Sequence, residues 1–351
     1  MMSTRTPLLS PESPAPALPQ GIAQARLLLP PALTHWTDRL EPALRDICEY
    51  QLGLRDEHGR PTGTAHGKLV RPAFVLLCAR AVGGDPVDAV SGAVAVELVH
   101  NASLIHDDIM DGDLERRHRR TVWARYGTPM AILAGDALFT LAFEAVSALE
   151  RPESRTACHH LALTLRELMA GQSRDLGFER RGVPSITACL TMIEGKTGSL
   201  LGCACRLGTL VAATPPSWGD RFERFGLHLG VAFQLVDDLL GIWGDPRVTG
   251  KPVGADLQAR KKSAPIVAAL TAESPASRRL AELYATPGPF EADELALVAE
   301  LVDQAGGRAW AREEARRRIE TAWDCLVGID VADDARMGLE ELAALLIDRE
   351  W

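Results

Sequence analysis

Two short acidic runs are where chemistry could begin. In Asp107-Asp108-Ile109-Met110-Asp111 the outer aspartates are one helical turn apart and share a face, with Asp108 about 100° round the helix. This run closes an apolar segment, Val87 to Met110, expected as a central helix. Three carboxylates at a helix C-terminus repel one another and oppose the negative end of the helix dipole, so a cation there relieves both penalties. An all-oxygen ligand set suits magnesium or manganese, ions that share their shell with substrate phosphates. Asp237-Asp238 closes a second apolar segment, Phe225 to Trp243, with Gln234 one turn earlier and Asp245 beyond. One such pair is the commonplace solvated helix end; two, each ending a buried helix, suggest a common site.

Cations stand beside these carboxylates although the chain carries a formal charge of -9. Arg116-Arg117-His118-Arg119-Arg120 follows the first run, and Lys251, Arg260, Lys261 and Lys262 follow the second. Lys68 and Arg71 precede another apolar helix, whose first amides can help hold phosphate. Lys68, Arg71, Arg116 and Arg117 read as phosphate ligands, and Arg119 and Arg120 as a solvated loop.

The elements that must position these groups are helical. The chain has 351 residues, 46% hydrophobic and only 5% aromatic, and lacks the alternation of strands. Helical spacing runs from Ala32 onward, with breaks at 54–66, Gly83-Gly84-Asp85-Pro86 and Thr214-Pro215-Pro216, and predicts a single all-α domain of about ten to twelve helices. Residues 1–24, with Pro7, Pro11, Pro14, Pro16 and Pro19, are expected as a disordered tail, and 25–351 as the domain. Net negative charge argues against nucleic acid and anionic membrane surfaces. Seven cysteines without a CxxC pair fit a reducing cytoplasm. No run reaches the ~20 uninterrupted apolar residues of a membrane helix, and an integral membrane protein is not expected.

Taken together, Gly67-Lys68 with Arg71-Pro72, Glu97 to Arg117, Gly135-Asp136, Lys196-Thr197 and Phe233 to Lys262 resemble, in order, the motifs of the trans-isoprenyl diphosphate synthases, the polyprenyl synthetase family. The likeness runs from about residue 25 to 345 and is nearest to bacterial geranylgeranyl diphosphate synthases. It implies the isoprenoid synthase fold, helices around a deep central cavity with the acidic runs facing across its mouth, and a homodimer. It further implies condensation of isopentenyl diphosphate with dimethylallyl, geranyl or farnesyl diphosphate through an allylic cation. Three magnesium ions on Asp107, Asp111 and Asp237, with Asp108 and Asp238 in the same metal set, would grip the allylic diphosphate alongside Arg116, Lys196, Lys251 and Lys261. Lys68, Arg71, His100 and Arg117 would hold the second diphosphate. Lys196, Thr197 and Gln234 are the catalytic candidates, the last two as neutral dipoles near the cation.

Two departures stand out: Gly241 replaces the last Asp of the second acidic motif, and His118 replaces the usual Gly of Arg-Arg-Gly. In the family, residues just before the first acidic run set product length. Val99, Ala102 and Ser103 are small, which favours twenty carbons or more over fifteen, with Phe139 and Phe143 as alternative floor residues. Some similar bacterial synthases carry Pro-rich tails and dock to encapsulin shells, which the tail here would allow.

Three rivals fit less well. A His-Asp metal phosphohydrolase built on His100 and His106-Asp107 leaves the second acidic run unused. A class I terpene cyclase needs no second diphosphate site. A silent regulatory subunit would be expected to lose an acidic run.

Overall fold

The computed structural model describes residues 18–65, 67–116, 118–149, 153–180, 182–245, 254–286 and 288–347. These residues form an all-α body, as expected, with a single two-stranded hairpin among them. Helix α1 spans Gln20–Thr37, so the body begins at Gln20 rather than 25, and it runs through Pro30 and Pro31 instead of starting at Ala32. Its buried stripe of Ile22, Ala25, Leu29 and Leu33 explains why: packing offsets the backbone bonds that two prolines forgo. The tail expected over 1–24 lies, up to residue 17, outside the described residues.

The remaining long helices are α2 (Pro42–Leu52), α3 (Val70–Ala81), α4 (Val90–Asp111), α6 (Thr128–Ser147), α7 (Glu153–Arg180), α8 (Ile186–Ile193), α9 (Ser199–Thr209) and α10 (Pro216–Trp243). After them come α13 (Pro275–Ala285), α14 (Ala292–Gln304), α15 (Gly307–Leu326) and α16 (Asp333–Ile347). With the short helices α5 (Val122–Tyr126), α11 (Ala255–Gln258) and α12 (Ala264–Leu270) the described residues hold more helices than the ten to twelve read from periodicity, which resolves pieces of one or two turns poorly.

Helices α4 and α10 are central, as their all-round apolar character predicts: α4 packs on α3, α6 and α9, and α10 on α9 and α15. Helices α6 and α10 are also long and apolar enough to cross a membrane by length and composition, yet both pack into this body, α10 with most of its apolar stretch buried.

Candidate active site

Helix α4 stops where Gly112 turns left-handed, φ 72°, a conformation that favours glycine. The Asp113 amide then bonds back to the Asp108 carbonyl at 3.0 Å. The first acidic run therefore sits at a helix C-terminus. Asp111 is exposed and Asp107 half-buried, whereas Asp108 is only 1% exposed.

Asp107 and Asp108 face different hollows. Asp107 lines a cavity of about 530 Å³ whose walls include Phe139, Leu168 and Leu176. Asp108 lines a small hollow with Tyr50, Arg116 and Arg119, where its Oδ1 accepts from Arg116 Nε at 2.6 Å. Burial raises the Asp107 carboxyl, helped by Asp111 and Asp175, against the pull of Lys196 and Arg116. Burial lifts Asp108 further, to about 6, although Arg116 draws it down. Asp108, expected in the metal set, anchors Arg116 through its Oδ1.

Arg116 ends the first strand of a hairpin, β1 (Glu115–Arg116) against β2 (Arg119–Arg120), in which Arg116 pairs with Arg119. His118 occupies its turn at φ 60°, which gives a reason for glycine at the equivalent family position. Arg119, expected in a solvated loop, lies over the Tyr50 ring at 4.1 Å and donates to the Tyr50 and Arg55 carbonyls, both at 3.2 Å. Tyr50 in turn donates to the Arg120 carbonyl at 2.7 Å, so the hairpin is clamped to α2. Composition alone cannot separate such an arginine from a solvated one. Arg120 is exposed, as expected.

The second acidic run divides similarly. Asp237 is exposed, while Asp238 is buried with Oδ1 accepting from Gln234 Nε2 at 2.9 Å and Oδ2 from the Ala264 amide at 3.0 Å. Burial pushes its carboxyl up to about 7, against those two hydrogen bonds. Asp238, also expected in the metal set, orients Gln234 and holds the first amide of α12. A Cβ at Gly241 would meet Asp256 Oδ2 at 2.1 Å, so a carboxylate from α11 occupies the space that the family's aspartate side chain would need there.

Lys196 and Thr197 lie on a π-helical segment, Glu194–Gly198, wedged between α7 and α10. Such wide turns re-aim side chains and recur at functional sites. Glycine makes the approach possible: a Cβ at Gly171 would lie 2.3 Å from the Lys196 amide nitrogen, and one at Gly230 would lie 2.7 Å from Gly198 Cα. Lys196 Nζ meets Asp175 Oδ2 at 2.5 Å, and Thr197 donates to Gln234 Oε1 at 2.9 Å. Burial, the largest influence, presses the Lys196 ammonium down, but Asp175, Asp107 and Asp111 together leave it raised and charged. Asp175 escaped the sequence reading because a lone aspartate on a polar helix has no spacing signature.

Lys68 and Arg71 flank the start of α3, where Leu69 adopts φ 50°. His100 lies on α4, half-buried. Lys261 is exposed, its amide donating to the Asp256 carbonyl at 2.9 Å. Arg117 and Lys251 lie outside the described residues. Of the expected floor residues, the cavity lining includes Ser103, while Val99 and Ala102 are fully buried core. His106 packs on Phe139 with ring centroids 5.7 Å apart, and a Cβ at Gly135 would collide with its ring. That accounts for Gly135 and gives His106 a packing role. Among the described residues no three acidic, imidazole or thiol side chains gather closely enough to hold a metal ion by themselves.

Acidic helix ends, basic groups around them and an apolar-walled cavity below make a site for an amphiphile with an anionic head. Comparison with known proteins decides the family: the polyprenyl synthetase family model matches residues 59–302. The chain belongs to the polyprenyl synthetase family. This synthetase is 46% identical over 329 residues to a (2E,6E)-farnesyl diphosphate synthase of Mycobacterium tuberculosis, covering 93% of this chain and 92% of that one. It is 41% identical to a geranylgeranyl diphosphate synthase of the same organism, over 86% of each. A polyprenyl synthetase from Streptomyces coelicolor superposes with a TM-score of 0.89 at 44% identity, over 94% of this chain and all of that one. A polyprenyl synthase from Caulobacter crescentus, complexed with calcium and isoprenyl diphosphate, superposes with a TM-score of 0.77 at 26% identity, over 95% of this chain and 98% of that one. The family makes this chain a prenyltransferase.

Proposed function

We propose that this synthetase condenses isopentenyl diphosphate with an allylic diphosphate and releases geranylgeranyl diphosphate as its main product. The observation that carries the reading is the cavity in which Asp107 stands at the charged end and Leu168, Leu176 and Phe139 line the apolar part. Similar enzymes bear farnesyl, geranylgeranyl and geranylfarnesyl names, so product length rests on the pocket. Small Ser103, one turn before Asp107, supports twenty carbons over fifteen.

The donor set fits magnesium shared with substrate. Asp107, Asp111 and Asp237 offer single carboxylates at two helix ends, which suits an ion that completes its shell with phosphate oxygens and water. Bound there, magnesium, three ions in the family pattern, would neutralise the diphosphate as it leaves. Lys196, held charged by Asp175, adds to that neutralisation, with Arg116, Lys251 and Lys261. Lys68, Arg71, His100 and Arg117 would fix the second diphosphate and bring its alkene to the reacting carbon. The allylic C–O bond breaks with both electrons leaving on diphosphate. The isopentenyl π electrons then form the new carbon–carbon bond, and a proton passes from the adjoining carbon to the departed diphosphate. Thr197, donating to Gln234, keeps its oxygen lone pairs available to the cation and offers no carboxylate to trap it.

A homodimer belongs to the proposal, supported by exposed Ile132 and Leu133 on α6. A reducing cytoplasm is supported by the seven free cysteines. The test is incubation with magnesium, labelled isopentenyl diphosphate and each allylic primer, with the dephosphorylated products sized by chromatography. Label in a linear twenty-carbon alcohol supports the full reading, another length corrects the product, and no incorporation refutes the reading.

A further inference from the structure

One polar group on the cavity wall is used by neither the fold nor the chemistry assigned so far. Gln172 on α7 is 7% exposed and lines the cavity that holds Asp107. Among the described residues neither its Nε2 nor its Oε1 has a hydrogen-bond partner. Leu168 and Leu176, one turn to either side, line the same cavity, so the amide interrupts an apolar stripe that faces the hydrocarbon. Three residues further along α7 stands Asp175, bound to Lys196. Gln172 therefore sits where the charged mouth gives way to the hydrocarbon-lined part. An unpaired buried amide costs folding free energy, so its retention in place of leucine asks for a partner among the ligands. Gln234, by contrast, has both ends of its amide engaged within the protein, its oxygen accepting from Thr197 and its nitrogen donating to Asp238.

We propose that Gln172 is a further catalytic residue, whose amide oxygen faces the allylic carbon and stabilises the positive charge that grows there as the C–O bond breaks. The assignment rests on the proposed allylic transfer. A neutral dipole can lower the energy of a cation without capturing it, whereas a carboxylate could form an ester bond with it.

Gln172→Leu removes the dipole at similar volume, and Gln172→Met, nearer in length, serves if leucine fails to pack. Melting temperature, kcat and two affinities are measured, each affinity with magnesium present. One ligand is an uncharged-tail thiolodiphosphate that cannot ionise; the other is an ammonium mimic of the allylic cation bound with inorganic diphosphate. The expected result is an equal or higher melting temperature and unchanged thiolodiphosphate affinity. The expected losses are about tenfold in kcat and in ammonium affinity, equivalent to ~1.4 kcal/mol of cation stabilisation. Unchanged kcat and ammonium affinity, or equal losses for both ligands, overturn the assignment. Failure of the wild-type enzyme to incorporate isopentenyl units is a separate outcome, which overturns the transfer reading and this inference with it.

Discussion

Lys196 Nζ stands 2.5 Å from Asp175 Oδ2, joining the π-helical segment to α7 at the cavity mouth. The pair helps to hold a half-buried ammonium charged beside Asp107. Asp175→Asn is expected to weaken that hold and to lower kcat/KM about tenfold, a loss of ~1.4 kcal/mol in transition-state stabilisation. Steady-state kinetics on both substrates would check it; unchanged kcat/KM would make the pair a packing feature.

Asp238 is a strut, with one oxygen on Gln234 and the other on the Ala264 amide. Asp238→Ala leaves two buried donors unpaired and should cost about 1 to 3 kcal/mol each at most. Urea denaturation reads the loss, whereas Asp237→Ala, which removes an exposed carboxylate, should leave the midpoint near wild type.

Product length gives a contrast on α4. Ser103→Phe enters the cavity and should shorten the product, read as a shift toward fifteen-carbon alcohol. Ala102→Phe enters fully packed core and should destabilise by about 1 to 3 kcal/mol without that shift. A shortened product from a stably folded Ala102→Phe variant would place the floor on the other face of α4.

His118 holds a backbone conformation that costs most L-residues ~1 kcal/mol. His118→Gly should therefore raise stability by an amount of that order, with kinetics unchanged, as thermal denaturation and the condensation assay would show.

Helical periodicity made the two acidic helix ends legible, because i and i+4 spacing is local. The family motifs added Lys196 and Thr197, and Gln234 stands one turn before its acidic run. Neither signal could divide each Asp-Asp pair: Asp107 and Asp108 look alike in sequence, and only the position of Arg116 shows which one turns inward. Asp175 and Asp256 were missed for the same reason, since both act across long sequence separations or between helices, on Lys196 and over Gly241. Helix α1 was started too late because two prolines outweigh a buried stripe in local propensity.

The central claim is that both acidic helix ends grip one diphosphate through shared magnesium. Calorimetric binding of a non-ionisable allylic thiolodiphosphate tests it most directly, in wild type, Asp107→Ala and Asp237→Ala, with magnesium or with EDTA. Tight binding only in magnesium-loaded wild type, with both variants weakened and their helical circular dichroism intact, is the predicted result. Binding that survives EDTA, or is indifferent to either substitution, would contradict the account.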